Sequence, residues 1–226
     1  GSYNFANLLD SINIQRVDGG VTGEQQILWY EKDESSSDPN INLRPTFVDS
    51  MEDALLGREL NRGSDNLFTN EGDGSGNNNN IERVDFISTT GISASSSSDF
   101  GFALLDRGSG DSVKMAAITE IDGSGDATSF GSPISIDASD FSGSGSEAFS
   151  LTNEQHVMRK EETDTNFRES ANLNQNIVGS FISYSELGIT DNETFHGYAI
   201  FGNDVDDGDV NNLSDYPTNT TGSGLD

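Results

Sequence analysis

Four aspartates fall within six positions in Gly202-Asn203-Asp204-Val205-Asp206-Asp207-Gly208-Asp209, and Asn211, Asn212 and Asp215 follow closely. The run comes directly after the apolar strand pattern Tyr198-Ala199-Ile200-Phe201, and no Lys or Arg lies between it and the C-terminus. Like charges this close repel one another. A fold holds such a cluster either by turning the carboxylates into water or by placing a hard cation among them. Calcium suits the second arrangement, since it takes about six to eight oxygen ligands from carboxylates, amides, backbone carbonyls and water.

A second oxygen-rich stretch lies earlier. Asp65 and Asn66 precede Asn70-Glu71-Gly72-Asp73-Gly74-Ser75-Gly76, which runs into four asparagines, Asn77 to Asn80. Asp and Asn interleaved with Gly supply both the donors and the tight turns of a cation shell. The bland alternative is a solvated surface loop. Neither stretch is an EF-hand: counted from Asp204, the fifth residue is Gly208 and the sixth Asp209, where that loop needs acid and then glycine. The Gly-Ser-Gly tripeptides at 74–76, 108–110, 123–125, 143–145 and 222–224 do not match the nine-residue calcium repeat of a β-roll either.

Thirty-nine acidic residues against eleven basic ones give a net charge of -28. This disfavours nucleic acid and anionic lipid, whose affinity rests on Lys and Arg neutralising phosphate. It favours divalent cations and a soluble surface. Zero cysteine excludes disulfides and thiolate zinc sites. In a secreted chain calcium would replace the missing staple, adding about 2.7 kcal/mol when filled at a hundredfold excess over its dissociation constant. No apolar run approaches the roughly 20 residues of a membrane span, so no membrane insertion is expected. Gly1-Ser2 reads as a cloning scar, and the remainder as an excised piece whose targeting signals lie elsewhere.

Catalytic chemistry finds little support. His156 and His196 stand forty residues apart, with no cysteine nucleophile, no Gly-x-Ser-x-Gly, no phosphate loop and no His-Glu-x-x-His. Paired carboxylates are abundant enough for a glycosidase by count, but they sit in Asp/Asn/Gly loops, which suit chelation better than a carboxyl held neutral by apolar walls. The chain is therefore not expected to be an enzyme.

The elements that must position these loops are mostly strands. Gln25–Tyr30, Ile81–Ile87, Phe100–Leu105, Val113–Ile121, Ile177–Ile182 and Phe195–Phe201 carry strand patterns, with Gly-rich corners between several of them. Ile81–Ile87 alternates as a half-buried strand should, which puts Glu82 and Asp85 on opposite faces. The segment from Phe100 onward reads as a meander turned at Gly108–Asp111 and Gly123–Asp126. One helix is expected at Ser50–Leu60, with Ser50 as N-cap, acids in the first turn, and Met51, Leu55 and Leu56 on one face. Trp29, the single tryptophan, is either a core anchor or a ligand-stacking platform. The fold class is all-β: an antiparallel β-sandwich with long calcium-binding loops and one short helix, forming one domain over residues 3–226.

Arg62-Gly63-Ser64-Asp65-Asn66-Leu67-Phe68, Asn79-Asn80-Ile81-Glu82-Arg83-Val84-Asp85-Phe86 and Phe195-His196-Gly197-Tyr198-Ala199-Ile200-Phe201-Gly202-Asn203-Asp204-Val205, with the ending Asp215-Tyr216-Pro217-Thr218-Asn219-Thr220, carry a resemblance. Over about residues 55–226 the chain resembles the calcium-dependent peptide-binding domains of large secreted bacterial adhesins of the RTX type. The resemblance implies a β-sandwich with several Ca²⁺ ions, one of them gripping the C-terminal carboxylate of a target peptide. Its candidate metal ligands are Asp65, Asp73, Asn80, Asn203, Asp204, Asp206, Asp207 and Asp209. It also implies an extracellular, cell-surface module, monomeric within a larger adhesin, that binds a peptide or protein C-terminus on a host or neighbouring cell. The alternative on the same scaffold is a calcium-dependent carbohydrate-binding module, with Trp29 or Tyr198 stacking on a sugar ring.

Overall fold

A computed structural model of the chain describes residues 4, 6–16, 27–32, 52, 55–56, 62–64, 67–69, 81–107, 112–141, 149–151, 155–160, 168–169 and 177–217. In chain order the strands are β1 (Ser11–Arg16), β2 (Ile27–Lys32), β3 (Arg62–Ser64), β4 (Ile81–Ile92), β5 (Gly101–Arg107), β6 (Val113–Ile121) and β7 (Ala127–Phe130). After them come β8 (Ile134–Ile136), β9 (Phe149–Leu151), β10 (Gln155–Lys160), β11 (Arg168–Glu169), β12 (Ile177–Ser183) and β13 (Phe195–Phe201). Every pairing among them is antiparallel. Helix is confined, among the described residues, to short pieces such as α1 (Ala138–Phe141). The expected helix at Ser50–Leu60 lies largely outside the described residues. Within it Glu52 and Leu55 are helical, and the Leu56 N–H donates to the Glu52 carbonyl at 2.9 Å.

The largest sheet has six strands in the order β1-β4-β13-β6-β7, with β8 also pairing β6. Its central strands are rich in the β-branched and aromatic residues that fit a pleated, packed surface. Successive side chains on a strand point to opposite faces, and in this sheet both faces are covered. On one face Val84, Met115, Tyr198 and Ile200 join Phe102, Leu104, Val178 and Ile182 in a shared core. Those last four come from the three-stranded sheet β5-β12-β9. The Phe102 ring meets Tyr198 at 4.5 Å and Phe195 edge-on at 6.1 Å. On the other face Ile87, Ala116, Ile118, Ala199 and Phe201 join Phe130, Val205, Val210 and Tyr216. Strands β11-β10-β2-β3 form a separate four-stranded sheet.

The second core corrects the half-buried reading of β4. From Ile81 to Ser88 every residue is buried except Phe86, which is half-buried. The alternation of polar and apolar residues is real, but the polar side chains do not face water. The meander reading also fails at its first corner. Strand β5 pairs with β12, while β6 pairs with β13, β7 and β8. Gly108–Asp111 itself lies outside the described residues, but the strands on either side of it, β5 and β6, belong to different sheets, whereas Gly123–Asp126 closes the β6–β7 hairpin.

One glycine is demanded by the sheet. Register shifts between Phe195 and Gly197 where β13 pairs β4. Gly197 takes φ +111, and a Cβ there would sit 2.1 Å from the Phe86 carbonyl oxygen. Only glycine accepts both that dihedral and that approach.

Candidate functional site

The acidic run leaves the end of β13 and folds back over the second core. The Gly202 N–H donates to the Glu82 carbonyl at 3.1 Å, and Val205, Val210 and Tyr216 are buried against the sheet. Successive turns are closed by main-chain bonds: Val205 N–H to Gly202 O (3.2 Å), Asp209 N–H to Asp206 O (2.9 Å), Asn212 N–H to Asp209 O (2.7 Å), Asp215 N–H to Asn212 O (3.0 Å). Apolar residues at 205, 210 and 216 give the loop three feet, and the polar residues between them form the turns.

Lys114, Phe130 and Arg83 pin the loop to the sheet by polar contacts. Lys114 of β6 donates from Nζ to the Val205 carbonyl at 2.6 Å and lies 2.8 Å from Asp207 Oδ1. The Phe130 N–H donates to Asn211 Oδ1 at 2.9 Å. Tyr216 donates its hydroxyl hydrogen to Val210 O at 2.7 Å and accepts from Arg83 Nη1 at 3.2 Å.

Arg83 is the centre of a buried polar cluster. Its Nε lies 2.8 Å from Asp85 Oδ1, an ion contact off the hydrogen-bond line, while Nη2 donates to Asp85 Oδ2 at 3.1 Å. The guanidinium stacks over Phe130 at 4.5 Å and reaches Tyr216 at 5.9 Å. Asp85 and Glu82 are both fully buried. Burial pushes the Asp85 carboxyl up to about 6, against the pull of Arg83. Burial likewise raises the Tyr216 hydroxyl, with Arg83 opposing and the charges of Asp85 and Glu82 adding. Strand β1 skips one residue of β4, since Gln15 pairs Arg83 and Arg16 pairs Ile81. Such a bulge breaks the alternation of faces, so Glu82 and Asp85 bear on Tyr216 together despite the opposite faces their spacing implies.

Of the expected ligands, Asp65, Asp73 and Asn80 lie outside the described residues. Asn203, Asp204, Asp206, Asp207 and Asp209 all belong to the one loop; Asp204 and Asp209 are half-buried, the other three exposed. Asp207 is turned to Lys114. Among the described residues no three of His, Cys, Asp and Glu gather into a group that could hold a metal ion. Tyr198, the proposed sugar platform, is instead packed in the core at 4.8 Å from Phe86. His196 is half-buried, its Nδ1–H donating to the Ser88 carbonyl at 3.0 Å, a structural bond. Arg83, Asp85, Lys114 and Tyr216 were missing from the sequence-derived ligand set. A signal existed for the first two: Arg and Asp two apart on a strand share a face and can neutralise each other. Searches of protein-family models, of characterised proteins and of solved structures find no match to this chain.

Proposed function

We propose that the chain is a calcium-dependent binding module, built as a β-sandwich, of a large secreted bacterial adhesin. It would hold a peptide or protein C-terminus at the cell surface, and its role is binding, not catalysis. The observation that carries this is the seating of the 202–216 loop. Asn203, Asp204, Asp206, Asp207 and Asp209 are presented on one backbone that Lys114, Phe130 and Arg83 hold to the sheet. Their oxygens are of the hard type calcium takes, and the shell would be completed by main-chain carbonyls and water. A bound Ca²⁺ would offset the negative surface that otherwise repels a terminal carboxylate.

The glycan alternative loses Tyr198 to the core and rests on Trp29 alone. One experiment separates the readings. The full chain is melted in calcium and in chelator, then offered a library of peptides with free or amidated C-termini, with simple sugars as competitors. A calcium-raised melting temperature and calcium-dependent capture of free C-termini, unaffected by sugars, are expected. A melting curve indifferent to calcium, or capture that survives chelation, would sink the proposal.

A further inference from the structure

Asp85 is buried on the sheet face that the acidic loop covers, in a place the calcium reading does not use. Its cross-strand partners in register are Asn13 of β1 and Ala199 of β13, neither of them charged. Of the charged groups, Arg83 of its own strand and Asp126 from the β6–β7 turn bear on it, while Asp85 and Glu82 both bear on Tyr216 of the loop. Asp126 is itself held by Asn13, whose Nδ2 donates to its Oδ1 at 2.8 Å. The loop supplies the cover on this face through Val205, Val210 and Tyr216. Tyr216 touches both Arg83 and the Val210 carbonyl, so its hydroxyl ties the loop to the ion pair. Lifting the loop would part Tyr216 from Arg83 and open this face to water, so the loop's seating and the carboxyl's hydration are linked.

We infer that the 202–216 loop is an acid-tightened clasp, in which a proton on Asp85 favours the seated loop and the ionised carboxylate opposes it. An anion gives up its hydration when the loop closes over it; a neutral carboxyl gives up far less. By linkage, the state in which a carboxyl holds its proton more tightly gains population as pH falls. Asp85 stands at about 6 under the loop, against an ordinary 3.8. The seated loop therefore gains as pH falls through about 6, and the gain is complete below about 3.8. Between pH 7.5 and pH 5 these two values let the seated-to-open ratio rise by at most about tenfold, the full amount requiring that the open loop leave Asp85 as hydrated as a free carboxyl. None of this depends on the loop binding calcium.

The test is hydrogen exchange on the full chain, reading the amides of Asp209, Asn212, Asp215 and Tyr216 as protection relative to intrinsic rates. It is run at pH 7.5 and pH 5, in calcium and again in chelator, for wild type and Asp85→Asn. Relief of general charge repulsion is common to both proteins, so their difference is the readout. Wild type should gain more protection on acidification than the variant, by a factor of up to about ten. An equal gain in both, or a loss in wild type, overturns the inference. The carboxyl carbon of Asp85, followed by NMR in wild type, gives a second answer that needs no variant. A midpoint near 6 that tracks loop protection supports the clasp, and a midpoint in the ordinary carboxylate range refutes it.

Discussion

Replacing Arg83 with methionine asks how much the buried ion pair stabilises the sheet. The side chains of Arg83 and Asp85 are 7% and 0% exposed, so screening by water is slight. Methionine keeps most of the apolar stem that packs on Phe130 but removes the charge. Asp85 then lies buried with its cation gone, a change that typically costs ~3–5 kcal/mol. Loss of the guanidinium from the Phe130 ring adds ~0.5–2 kcal/mol. Set against a typical domain stability of about 5–15 kcal/mol, this is a large fraction. Urea unfolding at pH 7.5 should show it as a lower midpoint with an unchanged slope. The double variant Arg83→Met/Asp85→Leu should recover most of the loss, because an apolar replacement of a whole buried pair is often close to neutral. The single variant's deficit should also shrink at pH 5. Asp85 has a raised pKa, so its contribution to stability is fully present below 3.8 and is lost as pH rises through about 6. A loss under about 1 kcal/mol at pH 7.5, or an equal loss at both pH values, would refute the claim that Asp85 is a buried anion held by Arg83.

Lys114→Met should cost ~1.5–3 kcal/mol, since its ammonium donates to the Val205 carbonyl at 2.6 Å from a largely buried position. Asp207→Ala should cost under about 1 kcal/mol because its carboxylate is 68% exposed; equal losses in paired urea titrations would show the ion pair, not the carbonyl bond, to be the anchor. Gly197→Ala should lower the melting temperature sharply or leave the chain insoluble, since the new methyl meets the Phe86 carbonyl at 2.1 Å; an unchanged melting temperature would place the bulge elsewhere. Asp122, Asp191 and Glu193 are held below the ordinary carboxylate range, each chiefly by a backbone N–H: that of Asp126, Ser97 and Thr190 respectively. Their stabilisation is present above that range and is lost as pH falls through their depressed values, opposite in sign to Asp85. Stability measured against pH should therefore rise below neutrality and then fall in stronger acid, and a monotonic profile would contradict the pairing of these two effects.

Strand positions were legible because the apolar runs of β4, β6, β12 and β13 carry their own period, whatever lies around them. Pairing partners were not. Nothing local in the sequence distinguishes Gly123–Asp126, which closes β6 on β7, from the similar Gly108–Asp111 between β5 and β6, two strands that belong to different sheets. Polar residues in β4 read as solvent-facing because alternation usually means one wet face. What hid the second core was distance: Phe130 lies far from β4, and Val205, Val210 and Tyr216 much farther still. The acidic loop was legible as a charged run following a strand. Its docking was not, because Lys114 reaches it from an element some ninety residues away. Side chains that neutralise a loop from elsewhere in the fold leave no mark in the loop's own sequence.

Aspartates in this chain do two different jobs, and the difference tells where a cation would matter. In the β6–β7 turn, Asp122 Oδ1 accepts the N–H groups of Ser124 at 2.8 Å and Asp126 at 3.0 Å. Asp191 Oδ1 accepts both the N–H and the hydroxyl of Ser97. Those carboxylates close their turns without a metal. The 202–216 loop is built otherwise: its turns are closed by the main-chain carbonyls of Gly202, Asp206, Asp209 and Asn212. Among the described residues, the Asp206 and Asp209 side chains are not consumed in capping their own backbone. If calcium binds this protein, the loop is where charge relief should register. Asp206→Asn/Asp209→Asn should leave the melting temperature in chelator nearly unchanged while removing much of the calcium-induced rise. Asp122→Asn/Asp191→Asn should do the reverse, lowering the melting temperature in chelator and preserving the rise. Differential scanning calorimetry of both double variants, each in calcium and in chelator, decides it. If the calcium increment is lost equally from both, or from neither, the aspartates of this loop are solvated turn residues and the ion, if any, is held elsewhere.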